Sequence, residues 1–135
     1  MKTVVFACVH NAGRSQMAAA FFNALADPAQ ALAVSAGTRP AKSVHPEVVE
    51  VMREAGVDLS GAVPALLTKE RAQGADLLVT MGCGEECPVI PGARMEDWPI
   101  EDPKRRSPER VREIRDEIRG RILRLITESG WSRKP

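Results

Sequence analysis

The sequence predicts an α/β protein, a single three-layer domain over residues 1–135 with a mostly parallel central sheet. Short apolar, β-branched runs alternate with longer segments whose apolar residues recur at helical spacing, the order that builds βα units and a parallel sheet. A chain of 135 residues also suits one core, burying roughly two-thirds of the surface that the unfolded form exposes. No repeat, low-complexity tract or linker divides it.

Thr3 to Ala7 is a short β-branched run, apolar from Val4 onward, as a strand covered on both faces should be. From Ser15 onward Met17, Phe21, Ala24 and Leu25 fall at helical spacing in alanine-rich sequence, and Asp27-Pro28 stops the helix because the residue before proline is pushed out of the α region. Ala31 to Ala36 reads as a second strand. Ser43-Val44-His45-Pro46 supplies an expected N-cap and an early proline, after which Val48, Val49, Val51 and Met52 form an apolar face up to Gly56. A short helix is expected over Leu66–Gln73, ended by Gly74, and a third strand over Ala75–Thr80. Residues 81–107 hold many prolines, Cys83, Cys87 and Trp98, and read as a long functional loop or small subdomain. From Pro108 a helix carries Val111, Ile114, Ile118, Ile122, Leu125 and Ile126 on one stripe, with Gly130 as its stop.

Charge excludes several function classes. Nineteen Lys plus Arg against 18 Asp plus Glu leave a formal net charge of +1, so no nucleic acid or anionic membrane partner is expected, and any anion site must be built locally. The arginines of the last helix are balanced by Glu109, Glu113, Asp116 and Glu117, a solvated face. No apolar run approaches the roughly 20 residues of a membrane span, and Met1-Lys2 leads into a strand rather than a secretion signal, so a cytoplasmic protein is expected. Three cysteines, Cys8, Cys83 and Cys87, are an odd number. In a reducing compartment that favours reactive or metal-binding thiols over a disulfide framework.

Cys8 falls where the first strand meets the first helix, beyond the C-terminal end of a strand, which is the ligand position of parallel sheets. Unpaired N–H groups of the turn and helix start can converge there on a small oxyanion, Gly13 clears room for close backbone approach, and Arg14 can grip two oxygens. The same donors favour the Cys8 thiolate, lowering its pKa from about 8.5 toward reactivity at neutral pH. The C-x5-R spacing alone is weak, with about 0.3 chance matches expected in this composition. Its position between a strand and a strong helix gives it weight against the alternative that Cys8 is a small packed residue and Arg14 a surface charge.

With CVHNAGRS in residues 8–15, the chain resembles the low molecular weight protein tyrosine phosphatase superfamily, whose signature is C-x5-R followed by Ser or Thr. The longer CVHNAGRSQMA looks like its arsenate reductase branch. The likeness continues through SAG (35–37), GVDLSG (56–61), ADLLVTMGCGEECP (75–88), Trp98 and Asp102-Pro103. It implies the low molecular weight phosphatase fold, with Cys8 as nucleophile and Val9, His10, Asn11, Ala12, Gly13, Arg14 and Ser15 binding the oxyanion. Asn11 would shape the loop, Ser15 would hydrogen-bond the sulfur, and Asp102 would be the general acid, where residue type alone suggests an ordinary turn residue before proline. His10 is expected to act only through its backbone.

A phosphatase needs one thiolate, whereas reducing As(V) to As(III) takes two electrons. In thioredoxin-coupled arsenate reductases, the resemblance implies, Cys83 attacks the Cys8–arsenic adduct and Cys87 then attacks Cys83, leaving a Cys83–Cys87 disulfide for thioredoxin. Gly82 and Gly84 would let that loop rearrange. The loop and MGCGEECP also look like a branch that passes the adduct to a small thiol such as mycothiol, with a glutaredoxin-like protein finishing the reduction. A metal clip is the structural alternative for Cys83 and Cys87, but tetrahedral zinc takes about four ligands and only Cys8, His10 and His45 remain, so no metal and no tightly bound cofactor are expected. Arsenate, mimicked by phosphate or sulfate, is the expected ligand, and thioredoxin or another external thiol the reductant.

The departures are informative. Where phosphatases of this fold carry a second loop cysteine and a tyrosine after Asp-Pro, this chain has Gly13 and Lys104, and it contains no tyrosine. Phosphotyrosine is therefore a poor candidate substrate. The redox pair is C-x3-C, closer than in the thioredoxin-coupled type. Ala19 and Ala65 replace acidic potassium ligands, so no potassium stimulation is expected. A phosphomonoesterase using Cys8, Arg14 and Asp102 is the enzymatic alternative, and an oxyanion or thiol-redox sensor the non-enzymatic one.

Overall fold

The computed structural model describes residues 1–82, 92 and 94–133. In chain order its elements are β1 (Lys2–Cys8), α1 (Arg14–Leu25), β2 (Ala31–Gly37), α2 (Pro46–Glu54), α3 (Lys69–Gln73), β3 (Leu77–Thr80), β4 (Arg94–Asp97) and α4 (Pro108–Ser129). The four strands form one sheet in the order β2-β1-β3-β4, and every pairing is parallel. The α/β domain expected from the alternation is therefore present, with a sheet parallel throughout rather than mostly so.

The apolar runs explain why β1 is central. Val4, Val5, Phe6 and Ala7 are completely buried, so both faces of the strand are covered. On one face Val4, Phe6 and Cys8 join Leu77 and Val79 against Met17, Phe21 and Phe22 of α1, Val48 and Met52 of α2, and the stripe of α4. Phe6 lies 6.1 Å from Phe22 and 5.7 Å from Trp98 between ring centroids, tilted in each case, the offset geometry that aromatic pairs prefer. On the other face, among the described residues, Val5, Ala7 and Leu78 cluster with Ala72 and Ala75, with Val9 and Leu67 beside them. The outer layers are thus unequal, because α3 is a single short turn of helix.

The α4 stripe is buried as its periodicity predicts, from Val111 to Ile126. Ser107 caps the helix by accepting from the Arg110 N–H at 3.2 Å, and Gly130 ends it in the left-handed conformation at φ 75°. Boundaries elsewhere move by a few residues. The expected 66–73 helix contracts to α3 behind Thr68, whose hydroxyl accepts from the Arg71 N–H. The third strand starts at Leu77 rather than Ala75. His45 rather than Ser43 occupies the N-cap of α2, with no side-chain cap bond.

The strand that sequence reading missed is β4, which lies inside the expected 81–107 loop. Its residues, Arg94-Met95-Glu96-Asp97, carry no apolar alternation because, among the described residues, the strand is a largely exposed sheet edge paired with β3. Cys83 and Cys87 lie outside the described residues. Among the described residues, no helix is long and apolar enough to cross a membrane.

Two arginine clamps brace the sheet's helical side. Glu54 of α2 accepts from Arg112 at 2.9 and 3.0 Å and from Arg115 at 3.3 Å, tying α2 to α4. Glu101 accepts from Arg110 at 2.9 Å and pairs with Arg106 at 3.1 Å, tying the segment before Pro103 to the start of α4. The hydrogen bond from Arg112 holds the Glu54 carboxyl below the usual glutamate range, and that from Arg110 does the same for Glu101. A carboxyl depressed in the folded state stabilises the fold above its unfolded pKa of about 4.3, and that contribution disappears as pH falls through the lower folded value. The melting temperature is expected to be flat from neutral pH to about pH 5 and to drop below it. Glu54→Gln should lower the plateau and soften the drop in thermal melts taken across pH; an unchanged acid limb would remove Glu54 from this role.

Candidate active site

In an all-parallel sheet the C-terminal strand ends share one edge. Register places Cys8 beside Gly37 and Ala7 beside Thr80, so residues 8–15, 37–41 and 80–82 gather there. The chain turns to β2 on one side of β1 and to β3 on the other, which makes this edge the switch point where open α/β sheets bind ligands.

The turn from Cys8 to Arg14 is held from outside through its carbonyls. The Cys8, Val9 and His10 oxygens accept from the N–H groups of Thr38, Arg39 and Ala41 at 3.2, 2.8 and 2.9 Å. The Ala12 oxygen accepts from His45 and the Gly13 oxygen from Met17, each at 3.0 Å. With the carbonyls taken by these partners, the turn's own N–H groups donate to none of them, an arrangement that can present N–H groups to an anion. Gly37 makes the bracing possible, since a Cβ there would stand 2.6 Å from the Val9 oxygen and 2.9 Å from the Asn11 nitrogen.

Cys8 is buried, and its sulfur lies 2.8 Å from the Ser15 hydroxyl. That hydroxyl also accepts from Asn11 Nδ2 at 2.7 Å. Asn11 is completely buried at φ 50°, a left-handed conformation that asparagine tolerates better than most residues. Its Oδ1 accepts from the Ala65 N–H at 2.9 Å, so the segment after α2 closes over the turn.

Arg14 is 8% exposed although charged. It donates to the Ile100 carbonyl at 3.2 Å and lies 3.7 Å from the Asp102 carboxylate. The guanidinium lies against Gly82, where a Cβ would come within 2.2 Å of Nη1. Asp102 makes a turn contact and an approach to Arg14 at once. Oδ1 accepts from the Lys104 N–H at 3.0 Å, an ordinary turn contact, while Oδ2 faces Arg14 from a side chain 43% exposed. Gly13 admits the same segment, because a Cβ there would lie 2.9 Å from Pro103 Cγ and 3.7 Å from His45. What approaches Gly13 is therefore the Asp102-Pro103 turn.

All of Cys8, Val9, His10, Asn11, Ala12, Gly13, Arg14 and Ser15 belong to this one turn, and Asp102 reaches it from the opposite end of the chain. His10 contributes a side-chain tie as well as its backbone, with Nδ1 3.1 Å from the Arg39 carbonyl. Gln16, Gly37 and Gly82 complete the site without having been singled out as site residues from sequence. Gly82 was visible there only as a loop glycine. Among the described residues, no three His, Cys, Asp or Glu side chains cluster to hold a metal ion. Chemically, a sulfur against a hydroxyl, inward amides and a buried guanidinium can hold a tetrahedral oxyanion in front of a thiolate, with a carboxyl at the rim to exchange a proton.

A family model described as low molecular weight phosphotyrosine protein phosphatase matches residues 3–130. A glutaredoxin arsenate reductase from a Synechocystis species is 34% identical over 131 residues, covering 95% of this chain and 98% of that protein. A solved thioredoxin-dependent arsenate reductase from Corynebacterium glutamicum is 41% identical with a TM-score of 0.83; the match covers 95% of this chain, which spans 61% of that one. A structure of an arsenate reductase in the phosphate binding state is 30% identical with a TM-score of 0.80, over 95% of this chain and 98% of that one.

Proposed function

Since the chain belongs to the low molecular weight phosphotyrosine protein phosphatase family, we propose that it is an arsenate reductase in which Cys8 attacks arsenate and Cys83 and Cys87 carry the oxidising equivalents to thioredoxin. The observation that carries the reading is the buried Cys8 sulfur against the Ser15 hydroxyl, in a turn whose Cys8, Val9, His10, Ala12 and Gly13 carbonyls are taken by backbone N–H groups. The names of the relatives supply arsenate as the oxyanion.

Arsenate enters the turn with its oxygens on the amides of residues 9–15 and on Arg14. The Cys8 thiolate forms a sulfur–arsenic bond while an arsenic–oxygen bond breaks, and Asp102 protonates the departing oxygen so that it leaves as water. The Cys83 thiolate then attacks the Cys8 sulfur. The sulfur–arsenic bonding pair goes to arsenic, which leaves as arsenite, and a Cys8–Cys83 disulfide remains. Cys87 attacks Cys83, frees the Cys8 thiolate and leaves Cys83–Cys87, which thioredoxin reduces. Gly82 lies against the Arg14 guanidinium, and Cys83 is the next residue in the sequence.

The test couples arsenate to NADPH through thioredoxin and thioredoxin reductase, with hydrolysis of p-nitrophenyl phosphate run in parallel. Cys83→Ser and Cys87→Ser are expected to stop NADPH consumption and leave hydrolysis within about twofold, because hydrolysis of a phosphocysteine needs water and no second thiol. Consumption persisting in either variant would sink the relay. No consumption in the native protein, with turnover restored by a small thiol and a glutaredoxin, would move the reductant to that class.

A further inference from the structure

A buried polar side chain that the proposed chemistry leaves unused is Gln16, which is 6% exposed on the first turn of α1. Its Nε2 faces three oxygens: the Asn11 carbonyl at 3.1 Å, Asn11 Oδ1 at 3.1 Å and the Val63 carbonyl at 3.4 Å. Two of these are backbone carbonyls, which can only accept, so the orientation of the Gln16 amide is unambiguous. The consequences run in one direction. Asn11 Oδ1 receives N–H groups from Gln16 and from Ala65, so it is the acceptor end of that amide. Nδ2 is therefore the end facing Ser15, and it donates to the hydroxyl oxygen. Ser15 spends a lone pair on Asn11 and keeps its own hydrogen for the Cys8 sulfur at 2.8 Å.

We propose that Gln16 is the positioning residue that sets the direction of this chain, from Gln16 through Asn11 and Ser15 to Cys8, so that the sulfur always meets a donor and is held as thiolate. Every member between Gln16 and the sulfur is neutral, and the effect is one of polarity rather than net charge. Gln16 also clamps both oxygens of Asn11 in its left-handed conformation, which maintains the contact with Ser15. The charged and titratable groups around the turn are Arg14 with Asp102 against it, His10 on the Arg39 carbonyl and His45 beside Gly13. None of them is a member of the chain of hydrogen bonds from Gln16 to Cys8.

The inference rests on Cys8 being the thiolate of the proposed reaction, and its test needs no turnover. In a Cys83→Ser/Cys87→Ser protein, the rate of Cys8 alkylation by iodoacetamide is followed against pH. Gln16→Glu places acceptors where Nε2 stood, draws Asn11 Nδ2 toward itself and turns Oδ1 onto Ser15, whose hydrogen then leaves the sulfur. The alkylation midpoint is expected to rise by about one pH unit. Gln16→Met, similar in volume and without a donor, should shift it in the same direction by less, and keeps the test open if the glutamate variant does not fold. In a Ser15→Ala background the chain is already cut, and Gln16→Met should add no further shift. A midpoint unmoved by Gln16→Met, or moved equally with and without Ser15, overturns the proposal. A shifted midpoint, where the native three-cysteine protein reduces no arsenate with thioredoxin or with a small thiol and a glutaredoxin, would leave the chain standing and reject the reductase reading.

Discussion

Cys8→Ser is expected to abolish arsenate-dependent NADPH consumption and to lower p-nitrophenyl phosphate hydrolysis by about 10⁴-fold or more, the scale on which removal of a covalent nucleophile is felt. The substitution is nearly isosteric at a site that is 2% exposed, and a serine hydroxyl can still meet Ser15, so the fold has no reason to suffer. What disappears is the sulfur, the nucleophile of the proposed reaction, since a hydroxyl is a far weaker nucleophile than a thiol. Serine also cannot form the disulfide to which the two electrons trace back. The check is both assays beside a thermal melt. Retention of more than a few per cent of hydrolysis in a well-folded Cys8→Ser protein would show that Cys8 is a packed residue and the site lies elsewhere.

Gly82→Ala is the second large effect, and it separates the anion site from the thiol. The position has φ 93°, where alanine costs about 1 kcal/mol, and the new methyl would lie 2.2 Å from Arg14 Nη1. The guanidinium is the far end of a flexible side chain, so it yields before the backbone does. Arg14 must leave its place between the Ile100 carbonyl and Asp102. Displacing one principal oxyanion donor costs about 10²–10³ in rate, and a loss of at least 10²-fold in kcat/KM for p-nitrophenyl phosphate is expected. Phosphate protection of Cys8 against alkylation should weaken in parallel, while the melting temperature falls only a few degrees. Undiminished phosphate protection would mean that Arg14 grips the anion from another direction and that Gly82 is only a turn residue.

Much of the site was legible because the chemistry is local in sequence. Cys8 and Arg14 are held in one turn by the strand that ends and the helix that begins there, and residue types alone suggested an anion cradle. Asp102 was different. Its approach to Arg14 depends on Glu101 gripping Arg106 and Arg110, and on Gly13 admitting Pro103, which stands 90 positions further along the chain. From composition it is one acidic residue before a proline, and only the resemblance singled it out.

The sequence by itself determined the elements whose signals are short-range. The apolar run of β1, the alanine-rich α1 and the isoleucine stripe of α4 carry their periodicity within a few residues, because each must bury a face of its own. Tertiary structure alone decided the remainder. β4 is a strand because β3 offers it an edge, despite its charged residues. Gly37 is required by the carbonyls behind it, and Gly82 by a guanidinium nearly 70 residues earlier in the chain. The direction of the hydrogen bonds from Gln16 to Cys8 is set by backbone donors and acceptors at Ala65 and Val63, which closure of the fold brings to them. Periodicity records which faces must be buried, whereas steric clearance and hydrogen-bond polarity exist only once distant backbone has been brought within a few ångströms.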